Sequence, residues 1–117
     1  MAGFIRFSDA RIWSSTNWVY WGLMDHLLDT FVNNPPAAKL VEECKWAQSL
    51  TFALLREESP ESADEIREKL SVVAARIVKG ELRCKVDGRE LEESDQVGFR
   101  DELRRLSEMM REPQSRP

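Results

Sequence analysis

The sequence predicts a mainly α, α+β fold, namely a compact four-helix domain with a small antiparallel sheet. Three observations lead to this expectation. Apolar residues recur at the three- and four-residue spacing of a helix face through most of the chain. Asp87-Gly88 is the preferred pair for a two-residue hairpin turn. The length of 117 residues fits one domain with its own core, so we expect a single globular domain over residues 1–112 and a disordered tail at 113–117.

The N-terminal region is expected to contribute one strand and the first helix. GFIRFS, at residues 3–8, predicts a short strand. WSSTN, at residues 13–17, is rich in helix-capping residues, so the first helix should begin near residues 16–17. We expect this helix to run to about Val32 and to stop at the Asn-Asn-Pro-Pro turn that follows.

Three further helices are expected, each marked by capping or stop signals. The Asn/Pro turn should set the second helix antiparallel to the first. A serine before a proline, with a capping box after it, opens the third helix, and a lysine followed by glycine ends it. The predicted ranges are Pro36 to Arg56, Ser59-Pro60 to Lys79-Gly80, and Ser94-Asp95 to Glu112.

The segment ELRCKVDGRELEE gives the clearest non-helical signal. A turn at Asp87-Gly88 pairs Val86 with Arg89 and Lys85 with Glu90, so opposite charges face each other across the hairpin. A hairpin alone is only marginally stable. We therefore expect the N-terminal strand to join it in one antiparallel sheet.

The first helix carries an unusual line of residues opposite its apolar face. At about 100° per residue, Tyr20, Leu27 and Phe31 fall on the core side. The opposite line has the spacing i, i+4, i+7 and i+11, with a histidine beside it: Trp18, Gly22, Asp25, Asp29 and His26. We call this line the predicted ridge and interpret it as a partner-binding surface. The alternative is that Trp18, in the first turn, packs beneath the N-terminal strand or Trp13.

Acidic residues are concentrated at the start of the third helix. Residues 57–68, EESPESADEIRE, hold six acids and one arginine. Acids at a helix N-terminus are favoured by the macrodipole, which is one explanation. The other is an acidic face for a basic partner, formed by Glu61, Asp64 and Glu65.

Composition argues against several classes of function. The net charge of −4 disfavours nucleic acid as a partner. The longest apolar run, Trp18 to Met24, is too short to span a bilayer, and MAGFIRFSDAR does not resemble a signal peptide, so no membrane association is expected. Two cysteines far apart in sequence are typical of reduced thiols in a cytoplasmic protein.

Metal and thiol chemistry are not expected either. One histidine and two cysteines are too few for a structural zinc site, so we predict no metal and no cofactor. A nucleophilic pair of Cys44 and His26 would need Cys44 in a cleft, yet its position on the second helix is on the core side. The sequence shows no phosphate-binding loop, nucleophile elbow or dinucleotide fingerprint.

Two hypotheses about function remain. The first is a non-enzymatic interaction module of the cytoplasm, such as an inhibitor, an immunity-like protein or a regulatory protein, which binds a protein partner of basic character and is a monomer or weak homodimer. The second is a small ligand-binding domain or minor enzyme with a pocket between the first helix and the sheet. In the second hypothesis the tryptophans line the pocket: Trp13, Trp18, Trp21 and Trp46.

Overall fold

The computed structural model describes residues 2–8, 10–86 and 88–111. Within these residues the chain forms five helices and five strands. In chain order the elements are β1 (Ala2–Ser8), β2 (Arg11–Thr16), α1 (Asn17–Asp29), α2 (Pro35–Ala47), β3 (Ser49–Thr51), α3 (Phe52–Glu58), α4 (Pro60–Val78), β4 (Lys85–Val86), β5 (Arg89–Glu90) and α5 (Glu93–Arg111). The predicted class, mainly α with small sheets, is therefore confirmed. The predicted tail at 113–117 lies outside the described residues.

The N-terminal sheet has three strands in the order β2-β1-β3. Strand β1 pairs antiparallel with β2 and parallel with β3. Ile5 lies opposite Trp13 on one side and Leu50 on the other, and all three side chains are fully buried. The sheet therefore contributes one apolar row to the core.

Strand β2 was not predicted. Ser14, Ser15 and Thr16 of WSSTN belong to this strand, and the side chain of Thr16 makes no capping hydrogen bond to α1. Helix α1 nevertheless begins at Asn17, as expected, and ends at Asp29, three residues before the predicted end. Serine and threonine are also compatible with an extended strand, which is the structure they form here. The expected start of the helix is therefore correct, although no side-chain cap produces it.

The second predicted helix is wrong in its C-terminal half. Helix α2 ends at Ala47, because Gln48 adopts a left-handed conformation with φ of 59°. Ser49–Thr51 then pair with β1, and a short helix, α3, follows. The chain therefore has five helices in the described residues, where four were expected. The apolar run SLTFALL does not distinguish a buried strand from a buried helix.

The register of the hairpin is confirmed, but the expectation that the hairpin pairs with the N-terminal strand is wrong. Lys85 pairs with Glu90 and Val86 with Arg89, while Asp87 lies outside the described residues. The hairpin forms its own two-stranded sheet and does not join β1. The predicted single antiparallel sheet is therefore two sheets, of which the larger also contains the parallel pair β1–β3.

Helices α1 and α2 are antiparallel neighbours, as the Asn/Pro turn predicts. The side chain of Asn34 accepts a hydrogen bond from the backbone N–H of Ala37 at 3.4 Å, with Pro35 in the first helical turn. At the other end of the pair, the Tyr20 hydroxyl donates to the backbone carbonyl of Cys44 at 2.7 Å. The first turn of α1 is thereby brought beside the last turn of α2.

Helices α4 and α5 close the core from the other side. Helix α4 begins after Ser59, whose hydroxyl accepts from the N–H of Ser62 at 3.3 Å, and both helices keep nearly the bounds predicted for them. None of the helices in the described part of the chain combines the length and apolar character needed to cross a bilayer.

We expect Gly88→Val to lower the free energy of unfolding by about 1 kcal/mol or more, because Gly88 has a φ of +79° that a β-branched residue adopts only with strain. An added Cβ would meet no atom within 4 Å, so the effect is one of backbone conformation. Chemical denaturation measures it. Gly98→Val is the matched control, since Gly98 is helical, also has open space around it, and should change stability by less than about 0.5 kcal/mol. Equal midpoints for the two variants would contradict the turn.

Candidate functional site

A cleft lies between α1, α2 and the β4–β5 hairpin, and we call it the tryptophan cleft. Its volume is about 540 Å³. Its lining comes from three separate parts of the chain: Asn17, Trp18, Trp21, Asp25, Lys45, Trp46, Lys85, Val86 and Gly88. This volume and its mixture of aromatic and charged residues are within the range of ligand-binding clefts.

The tight connection between α1 and α2 explains why residues distant in sequence meet here. Asn17, Trp21 and Asp25 are spaced by four residues, so they lie on one face of α1. Because α2 runs back along α1, its last turn places Lys45 and Trp46 opposite that face. The cleft therefore depends on the Asn/Pro turn at residues 33–36.

Two tryptophans and a lysine form one wall of the cleft. The indole rings of Trp21 and Trp46 have centroids 5.1 Å apart and an interplanar angle of 72°, which is an edge-to-face contact. The Lys45 ammonium lies 5.4 Å from the first ring and 5.3 Å from the second. It also forms an ion pair with Asp25 at 2.7 Å. The lysine therefore holds the two rings and the carboxylate in one cluster.

The hairpin forms the opposite wall and is fixed to α1 at its base. The Nε2–H of His26 donates to the backbone carbonyl of Arg83 at 2.7 Å. Gly22 lies directly under Cys84, since a Cβ at Gly22 would be 2.8 Å from the Cys84 Sγ. His26 and Gly22 thus hold the segment that leads into β4.

A buried glutamine fixes the same segment to α5. The side chain of Gln96 is 1% exposed. Its Oε1 accepts from the N–H of Cys84 at 2.8 Å, and its Nε2 donates to the carbonyls of Cys84 and Leu91 at 2.9 and 3.2 Å. Gln96 therefore determines where the hairpin wall stands relative to the rest of the cleft.

These contacts correct the geometry of the predicted ridge. Trp18 is half-buried against the core, and Gly22 is buried, so its missing side chain makes room for Cys84 and Phe99 of the same chain and not for a partner backbone. Asp25 and Asp29 are exposed. The ridge is interrupted at Gly22, His26 is half-buried and bonded to the hairpin segment, and Asp25 and Asp29 are the exposed part. Partner binding by these residues stays a prediction.

The acidic segment does not extend the ridge. Asp64 forms an ion pair with Arg56 at 2.9 Å, and Glu65 accepts from the side-chain amide of Asn34 at 2.9 Å, while Glu61 is exposed. Asn34 follows the C-terminal end of α1, whereas Trp18 is in its first turn, and a helix of this length spans roughly 20 Å. The acids and the tryptophan cleft are therefore separate surfaces.

Three of the four tryptophans line the cleft, and the fourth does not. Trp13 is fully buried, and its indole N–H donates to the backbone carbonyl of Glu102 in α5 at 3.0 Å. The expectation that Trp13 lines a pocket is wrong, because β2 directs it into the core. The expected pocket between the first helix and a sheet corresponds to the tryptophan cleft, with the small hairpin sheet as its wall.

Cys84 is buried and Cys44 is half-buried. Cys44 and Cys84 are free, and burial raises the pKa of each thiol to about 11. Among the described residues, no group of three or more His, Cys, Asp and Glu side chains is placed to hold a metal ion.

Comparisons with protein-family models, with curated proteins and with solved structures find no match for this chain. The geometry of the cleft is therefore the basis for any functional argument.

Sequence reasoning named Trp46 among the pocket-lining tryptophans and missed the other residues that α2 and the hairpin contribute to the cleft. Trp46 lies away from the main apolar face of the second helix, where we expected a neighbouring element to cover it, and it is instead 62% exposed. Asn17, Lys45 and Lys85 carried no local signal, because their significance depends on which elements meet.

Proposed function

We propose that this chain is a non-enzymatic protein-interaction module, and that the tryptophan cleft binds an apolar side chain of its partner. The observation that carries the proposal is the exposure of Trp46, which is 62% exposed beside half-buried Trp18 and Trp21. Val86, 40% exposed, lines the same cleft. Tryptophan is among the residues most enriched at the energetic centres of interfaces, where it packs in a partly enclosed site.

The charge of the whole chain, and not that of the cleft, supports a basic partner, because the cleft lining holds Lys45 and Lys85 against Asp25 alone. The whole chain has a net charge of −4, and Asp25 and Asp29 are exposed along α1 beyond the tryptophans. The Asp25 carboxylate is paired with Lys45, so its contribution to steering is reduced. Complementary charge outside the cleft accelerates encounter, while the apolar contact supplies most of the affinity.

A small-molecule site is the second candidate. The cleft volume of about 540 Å³ lies inside the usual range for ligand pockets. A screen of small aromatic and aliphatic compounds that detects saturable quenching of tryptophan fluorescence, lost in a Trp46→Ala variant, would favour this candidate over a protein partner.

Site-specific photo-crosslinking tests the proposal. p-Benzoylphenylalanine replaces Val86 at the cleft, and in the matched controls it replaces Val72 or Val97, which are 51% and 44% exposed and do not line the cleft. In the cells that produce the protein, we expect the Val86 position to capture a partner that the control positions do not capture. Equal capture at all three positions would contradict the proposal.

Trp46→Ala should then weaken the binding of the purified partner by roughly thirtyfold or more, the effect of losing an interface anchor. Its cost in folding stability should be only about 1 kcal/mol, because the side chain is mostly exposed and loses chiefly its contact with Trp21. Calorimetric titration and denaturation measure the two effects. Unchanged affinity in a folded Trp46→Ala variant would refute the proposed site.

A further inference from the structure

Strand β2 is an edge of the N-terminal sheet in the part of the chain that the structure describes, since the strand order is β2-β1-β3. Residues of a strand direct their N–H and C=O groups alternately to its two sides. Phe4 donates its N–H to the carbonyl of Gln48 on the β3 side at 3.2 Å, so its cross-strand partner Ser14 is turned away from β1. Ile12 and Thr16, two positions to either side, face the same way as Ser14. The edge of β2 therefore presents the main-chain groups of three residues.

This edge is exposed and carries little protection. Ile12 is 41% exposed, and Ser14 and Thr16 are exposed as well. The Ser14 carbonyl accepts from the guanidinium of Arg105 at 3.2 Å, and the Arg105 side chain is itself 55% exposed. None of the described residues accepts a hydrogen bond from the Ser14 N–H. An edge of this kind is a template for pairing with another strand.

A second copy of β2 matches this edge by symmetry. When two copies of the strand pair antiparallel with Ser14 opposite the copy's Ser14, Ile12 lies opposite the copy's Thr16. All three positions then form hydrogen-bonded pairs, because each directs its N–H and C=O at the other strand. Their side chains lie on the face opposite buried Trp13, where Ile12 and Thr16 form a pair of β-branched residues. The same three residues thus serve both copies, as a two-fold interface requires.

The charges beside the edge are complementary under the same symmetry. Helix α5 lies along β2, with one hollow between them at the Thr16 end of the strand and another at the Ile12 end. Glu102 lines the first hollow and Arg105 lines the second. A two-fold axis at Ser14 exchanges the two ends, so Glu102 of one copy is brought to the end that Arg105 occupies in the other. The only charge within β2 is at its first residue, so the pairing sets no like charges of the strands opposite each other.

We propose that the edge of β2 is a self-association surface, through which a second copy of this chain pairs antiparallel and joins the two three-stranded sheets into one. The Ser14 N–H of each copy donates to the Ser14 carbonyl of the other. A carbonyl oxygen has two lone pairs, so this carbonyl can accept from the copy beside its bond to Arg105. The proposal does not depend on what the tryptophan cleft binds.

Sedimentation equilibrium over a wide range of protein concentration tests the proposal. We expect a monomer–dimer equilibrium for the unaltered chain. Ser14→Pro should raise the dissociation constant of the dimer roughly tenfold or more, because it removes one N–H donor from each copy. Proline is tolerated in an edge strand where the N–H faces outward, and circular dichroism checks that the variant is folded. Ser14→Ala is the matched control, since it keeps both main-chain groups and should change the dissociation constant by less than about twofold.

Charge reversal gives a second measurement that does not depend on proline. Glu102→Arg and Arg105→Glu should each weaken self-association, because each sets like charges opposite each other across the two-fold axis. The double variant restores opposite charges and should dimerise like the unaltered chain. A mixture of the two single variants should form a heterodimer, whereas damage to α5 itself would not be repaired by mixing.

Two results would overturn the proposal. One is a chain that stays monomeric at every concentration. If the Ser14 amide of that monomer gains protection from hydrogen exchange when the partner captured at Val86 is added, the edge binds that partner and not a second copy. The other is a dimer whose dissociation constant is the same in folded Ser14→Pro as in Ser14→Ala, because the contact then lies on a different surface. Neither result bears on whether the tryptophan cleft binds a protein.

Discussion

Trp13→Ala should lower the free energy of unfolding by about 3–5 kcal/mol, the range for truncating a core aromatic. Trp13 is fully buried, lies opposite Ile5 in the sheet, and donates its indole N–H to Glu102 of α5. The substitution removes the packing between β2 and α5 and leaves the Glu102 carbonyl without its side-chain donor. Urea denaturation followed by circular dichroism measures the loss.

The matched control is Trp46→Ala, which truncates the same residue type at an exposed position and should cost only about 1 kcal/mol. The difference between the two variants separates core tryptophan from binding-site tryptophan. If both cost 3 kcal/mol or more, Trp46 is structural and the cleft loses its most exposed aromatic as a candidate anchor. If neither variant lowers the free energy of unfolding by 3 kcal/mol, strand β2 does not pack against α5 as described.

The two tryptophans also show which part of the fold was predictable from sequence. Helices α4 and α5 have regular apolar stripes, and α4 also has a local cap at Ser59, so their bounds followed closely from the sequence. Strands β2 and β3 depend on pairing with β1, and β3 pairs with residues more than forty positions away. The left-handed Gln48 that allows this pairing is not a glycine, so no local signal marked the end of α2.

The candidate site was predictable only in part, for the same reason. The wheel of the first helix identified Trp18 and Asp25, and both line the cleft. It placed Gly22 on the surface because a single helix does not reveal that the hairpin covers that position with Cys84. Lys45 and Val86 enter the site through contacts between elements, which periodicity within one element does not encode.

Gln96→Ala should destabilise the protein by about 2–4 kcal/mol, although glutamine is ordinarily a surface residue of a helix. Its side chain satisfies the buried N–H of Cys84 and the carbonyls of Cys84 and Leu91. The Cys84 carbonyl keeps a bond from the N–H of Leu91 at 3.3 Å. The Cys84 N–H and the Leu91 carbonyl lose their Gln96 partner, and each buried unsatisfied group costs about 1–3 kcal/mol.

The effect should be concentrated at the hairpin, because Gln96 is the buried side chain that joins the base of the hairpin to α5, beside the exposed ion pair of Arg83 with Glu93. Hydrogen exchange should show that the Cys84 amide loses protection in Gln96→Ala before the amides of α4 do. Since Lys85 and Val86 follow Cys84 directly, the same variant should weaken partner binding in the tryptophan cleft even under conditions where the helices remain folded. Val97→Ala, at the adjacent exposed position of α5, is the matched control and should change neither property by more than about 0.5 kcal/mol. A Cys84 amide that stays protected in Gln96→Ala would show that another contact holds the hairpin, and His26, which donates to the Arg83 carbonyl from α1, is then the residue to substitute.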